Sequence, residues 1–167
     1  MYRSPTHGLL TLEEAFDKVK QYIMSDPKSE YHVMIGCDSQ QHKDSLVIVS
    51  AIIVHRLGSG AIYFTERNQL HKPYISLREK MYTETSKSIE VATIFKDTVL
   101  KDEELPVDIA IHLDIGKTGK TSAFIKELVG YVESCGFEAC IKDNSRLCDI
   151  SYQYPIAASS VADRYSK

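Results

Sequence analysis

The segment Ser45–Arg56 (SLVIVSAIIVHR) constrains the fold more than any other. It is apolar, β-branched and unbroken by turn residues. A strand with apolar side chains pointing both ways has to be covered on both faces, so it belongs in the middle of a sheet. Two neighbours extend that sheet. Tyr31–Gln40 (YHVMIGCDSQ) comes before it and carries a carboxylate, Asp38, near its end. Ala61–Leu70 (AIYFTERNQL) comes after it, across the hairpin turn Leu57-Gly-Ser-Gly60.

The helices mark their own starts. Thr11-Leu12-Glu13-Glu14 is a capping box, followed by Leu12, Phe16, Val19 and Ile23 at helical spacing, and Asp26-Pro27 ends the helix. Ser76 and Glu79 form a second capping box, which opens a long helix to about Leu100. Val107–Gly116 is a fourth strand with Val107, Ile109, Ile111, Leu113 and Ile115 on one face. A basic turn, Lys117–Lys120, leads into a helix over Thr121–Cys135 that Gly136 stops. Phe137–Lys142 is a fifth strand, and Ile156–Tyr165 a short closing helix after a polar loop. Residues 1–10 read as a loose arm.

Three strands joined by short turns make an antiparallel meander, and the helices after the third and fourth strands are crossovers. The expectation is an α/β fold: a five-stranded mixed sheet, order 3-2-1-4-5, with helices on both faces. With 167 residues and 43% hydrophobic content, the chain makes one domain over 1–167.

A net charge of −3 excludes a generic basic nucleic-acid coat but leaves room for an enzyme that touches a nucleic acid locally. Cys37, Cys135, Cys140 and Cys148 form no C-x-x-C pair, which argues against a zinc knuckle, and Cys37 reads as a buried thiol. There is no apolar signal region and no apolar run of ~18 residues, so a cytoplasmic protein with no membrane partner is expected.

The chemistry lies in the carboxylates. Asp38 and Asp114 each sit at the end of a strand. If those strands are neighbours, the two meet outside the carboxyl ends of the sheet, where ligands of such folds gather. Two adjacent carboxylates repel, so a cation is the natural third party, and oxygen donors suit magnesium or manganese. On the long helix, at ~100° per residue, Leu77, Met81, Ser88, Ala92, Phe95 and Val99 share a stripe. Glu84 falls within it and Glu79 points away. Asp163, in AASSVADRYSK, is a fourth candidate.

This arrangement of Asp38, Glu84, Asp114 and Asp163 resembles the ribonuclease H fold. The segments TLEEAFDKVKQYIMSDP, IGCDSQ, SLREKMYTET, HLDIGKTGKT and ASSVADRYSK also resemble the YkuK-type family of ribonuclease H-like bacterial proteins. The resemblance implies that the four carboxylates bind two Mg²⁺ or Mn²⁺ ions, with Asp38 bridging both. Glu84 and Asp114 complete one site and Asp163 the other. The implied activity is a nuclease or related phosphoryl-transfer reaction on RNA or DNA, in which metals ~4 Å apart clamp an in-line attack of water on a phosphodiester. The alternative is a non-catalytic module of the same fold that binds nucleic acid or a protein partner. Ser39 stands where ribonuclease H itself usually has glycine.

Ser39 and Gln40, beside Asp38, are candidate substrate contacts. So are Lys117 and Lys120, whose turn could grip a phosphate with its backbone amides. That turn is not a P-loop, because Gly116 and Gly119 enclose two residues where four are needed, and no nucleoside triphosphate is expected. His112 shares a strand face with Asp114 and, like His42, reads as structural. Tyr74 and Tyr82 read as packing at the surface margin rather than base-stacking platforms.

Overall fold

The computed structural model describes residues 1–71, 75–101, 105, 107–141, 161–162 and 164–165. In chain order the elements are β1 (Tyr2–Ser4), β2 (Gly8–Leu10), α1 (Leu12–Met24), β3 (Tyr31–Gln41), β4 (Leu46–Arg56), β5 (Gly60–Leu70), α2 (Leu77–Val99), β6 (Val107–Leu113), a 3-10 turn (Ser122–Phe124), α3 (Ile125–Ser134) and β7 (Glu138–Ile141).

One mixed sheet of seven strands runs β2-β1-β5-β4-β3-β6-β7. β4 is buried along almost its whole length between β3 and β5, as its unbroken apolar sequence requires. β3 and β6 are neighbours and parallel, with Gly36 level with His112. Two residues further along each chain come Asp38 and Asp114.

The five-stranded expectation is corrected to seven. Residues 1–10 are not a loose arm: β1 pairs antiparallel with the edge of β5, and β2 pairs with β1. Tyr2 supplies the reason, since its side chain is buried in the main core. Strands of three residues are too short for an alternation to show in sequence. Two further boundaries move. β6 ends at Leu113, where its ladder to β7 also ends, so Asp114 lies just past the strand. The helix expected from Thr121 becomes regular only at Ile125, and neither Thr121 nor Phe124 makes a side-chain cap.

Both expected capping boxes form. Thr11 and Glu14 exchange hydrogen bonds at the start of α1, and Ser76 and Glu79 do so at the start of α2. α1, α2 and α3 all pack on one face of the sheet. Phe16 meets Phe95 edge to face at 5.3 Å between ring centroids, and Leu128 and Val132 join the same core. On the other face Met34, Val49 and Ile53 pack with Val161, Ala162 and Tyr165, which lie in helical conformation. Helices therefore cover both faces. Among the described residues no helix is long and apolar enough to cross a membrane.

Candidate active site

Asp38 and Ser39 are consecutive on β3 and so point to opposite faces of the sheet. Ser39 faces α2. There its backbone amide and its hydroxyl both donate to Glu84 Oε1, each at 2.7 Å. Glu84 is 4% exposed, two turns into α2, on the stripe that also buries Met81, Ser88, Ala92 and Phe95. A buried carboxylate is costly unless it is paired or hydrogen-bonded, and Ser39 supplies two of the bonds. Leu77, expected on that stripe, is instead exposed at the first turn of the helix. Glu79 remains at the cap, bonding the Ser76 amide and hydroxyl.

A third donor reaches the same oxygen. Lys80, one turn before Glu84, places Nζ 2.9 Å from Glu84 Oε1 and 3.8 Å from Asp38 Oδ1. Burial opposes the charge on this ammonium. Glu84, Asp38 and Asp114 together outweigh burial and raise its pKa above the ordinary lysine value. Burial likewise raises the Glu84 carboxyl, while Lys80 and Ser39 pull it back. Three donors thus converge on one Glu84 oxygen and favour its ionised form, in opposition to burial.

Lys80 therefore contacts Asp38 and Glu84, and Asp114 is near enough to add to the negative potential it feels. The three carboxylates do not form a closed cage: among the described residues no three His, Cys, Asp or Glu side chains stand close enough to hold a metal ion together. The donor set is all oxygen, the kind that hard divalent cations take. Asp163 lies outside the described residues, as do Tyr74, Cys148 and most of the expected closing helix.

The other candidates divide. Ser39 is buried and committed to Glu84, so it positions that carboxylate. Gln40, half-buried, has its Oε1 enclosed with no hydrogen-bond donor among the described residues. Lys117 and Lys120 are exposed on the turn after Asp114. His112 is buried on the Asp38 face of the sheet, and burial pushes its imidazole down to about 4, so it is neutral at pH 7. Cys37 is the buried thiol expected, 3.3 Å from Ser50 Oγ. Tyr82 stacks on Tyr131 of α3. An open groove of about 760 Å³ lies between α2 and the β4–β5 pair, lined in part by Ile48, Asn68, Thr83 and Lys87. Ile48 and Asn68 lie in the cross-sheet row of Ser39, and Thr83 and Lys87 flank Glu84 on α2.

Lys80 escaped the sequence reading. Its signal was there, a cation at i−4 from the one carboxylate on the buried stripe of the helix.

The model of the family described as ribonuclease H-like matches residues 14–167. The chain belongs to the ribonuclease H-like family. A relative in Bacillus subtilis (strain 168), the "Uncharacterized protein YkuK", is 33% identical over 177 residues, an alignment covering 100% of this chain and 97% of the relative. The YkuK-type subgroup is thereby the one to which this ribonuclease H-like chain is related throughout its length. No solved structure gives a significant match.

Proposed function

We propose that this chain is a divalent-metal-dependent nuclease, or a related phosphoryl-transfer enzyme, that hydrolyses phosphodiester bonds in RNA or DNA at Asp38, Glu84 and Asp114, with Asp163 as the fourth carboxylate. The observation that carries the reading is the buried Glu84, fixed on Ser39 beside Asp38 and around a cation. Buried, paired charges of this kind gather at functional sites.

Mg²⁺ or Mn²⁺, when bound, would polarise the phosphate and lower the pKa of the attacking water. Asp38, Glu84 and Asp114 are the residues described here that would hold it. Ser39 sets the orientation of Glu84 before any ligand arrives. Lys117 and Lys120, exposed beyond Asp114, would meet backbone phosphates of the substrate. Gln40 offers a polar contact next to Asp38.

The alternative is a non-catalytic module that holds nucleic acid or a protein partner. Lys80 favours it to this extent: the ammonium already neutralises part of the cluster without a metal.

The deciding experiment is a nuclease assay on single-stranded, duplex and hybrid substrates with Mg²⁺ or Mn²⁺, for wild type and Asp38→Asn. The proposal expects metal-dependent cleavage of at least one substrate, lost in Asp38→Asn. Cleavage unaffected by Asp38→Asn would assign it to another site or a contaminant. Substrate binding without cleavage would favour the module.

A further inference from the structure

Lys80 and Glu84 do not behave as an ordinary helix surface pair. Such pairs are solvated and weak, and the order Lys then Glu four residues on is the weaker orientation against the helix dipole. Here Glu84 is almost wholly buried, and the lysine also reaches Asp38 on another element of the fold. Its ammonium lies where the negative potential of three carboxylates is summed. Its side chain is still 28% exposed, so the flexible stem has a route outward.

We propose that Lys80 is the resident cation of the cluster and competes with a divalent ion for Asp38 and Glu84, so that metal uptake is an exchange of ammonium for ion. The inference rests on the metal reading above. Two features make the exchange workable. Ser39 holds Glu84 Oε1 by bonds that do not involve Lys80, so the carboxylate stays in place when the lysine leaves. Replacing one positive charge by two also neutralises the three carboxylates more fully. In this chain Lys80 therefore acts as a positioning residue in the metal-free state, and it sets how tightly the ion is held.

The test is calorimetric titration of MnCl₂ into metal-free wild type, Lys80→Met, Lys80→Arg and Asp38→Asn, with thermal unfolding of each before and after addition. Lys80→Met is expected to bind Mn²⁺ at least tenfold more tightly than wild type. Its metal-free form should melt lower, and it should gain more from Mn²⁺. Lys80→Arg, which keeps a cation, is expected to stay near wild type. Lys80→Gln replaces Lys80→Met in the comparison if the latter does not fold. Tight binding to wild type that depends on Asp38, with none gained in Lys80→Met, overturns the exchange and leaves the metal site standing. Absence of Asp38-dependent binding in both overturns the two together.

Discussion

Ser39 and Glu84, forty-five positions apart in the chain, are joined by two hydrogen bonds of 2.7 Å that end on a single carboxylate oxygen. The contact ties the end of β3 to the second turn of α2. It fixes the direction of a buried charge from the strand side, independently of what happens at Asp38 on the other face.

Removing the hydroxyl while keeping the amide tests that tie. Ser39→Ala leaves Glu84 with one Ser39 bond and the Lys80 pair. A hydrogen bond to a charged group contributes roughly 2 kcal/mol. Urea unfolding of Ser39→Ala should show a loss of that order. The combined Ser39→Ala/Glu84→Gln variant should lose less than the sum of the two single changes, because the partners share one interaction.

The two glutamates of α2 should separate by role. Glu84→Gln is expected to abolish metal-dependent cleavage, with circular dichroism unchanged. Glu79→Gln, altering a capping box, should cost about 1 kcal/mol or less and leave activity within a few-fold. If cleavage rates fall with Glu79→Gln and survive Glu84→Gln, the assignment is reversed.

Acid should destabilise the fold through two histidines on the sheet face away from α2. Burial, with a smaller effect of the neighbouring His32, lowers the His55 pKa, and burial takes His112 down to about 4. An unfolded histidine titrates near ~6.5. Between that value and the folded pKa the unfolded chain binds more protons, so stability rises with pH. It is complete above ~6.5 and falls as pH drops toward 4, by about 3 kcal/mol for His112. Urea midpoints at pH 7.5 and 5.0 should differ less in His112→Gln than in wild type. Comparing slopes in this way removes the opposite contribution of Glu84, whose folded pKa is raised.

Much of this was legible because particular residues gave local signals. The capping boxes at Thr11 and Ser76 located two helix starts, and the unbroken β-branched run placed β4 at the centre of the sheet. Helical phase distinguished Glu84 from Glu79. What escaped depended on tertiary contact. β1 and β2 exist because Tyr2 has a core to enter and β5 has an edge to offer. The late start of α3 followed from caps that do not form. Ser39 read as a substrate contact because its neighbour was Asp38, whereas strand alternation turns it toward the helix. Lys80 was not singled out, because one of its two partners, Asp38, lies on another element.

The short N-terminal pair of strands has a consequence for association. β5 is eleven residues long, and without β1 its edge would present unpaired amides and carbonyls to any passing chain. β1 occupies that edge at Glu66 and Thr65, and β2, three residues long, becomes the new rim. A rim so brief gives an incoming strand little to zip onto. The first ten residues thus act as a selvedge for one stretch of that border, at Thr65 and Glu66.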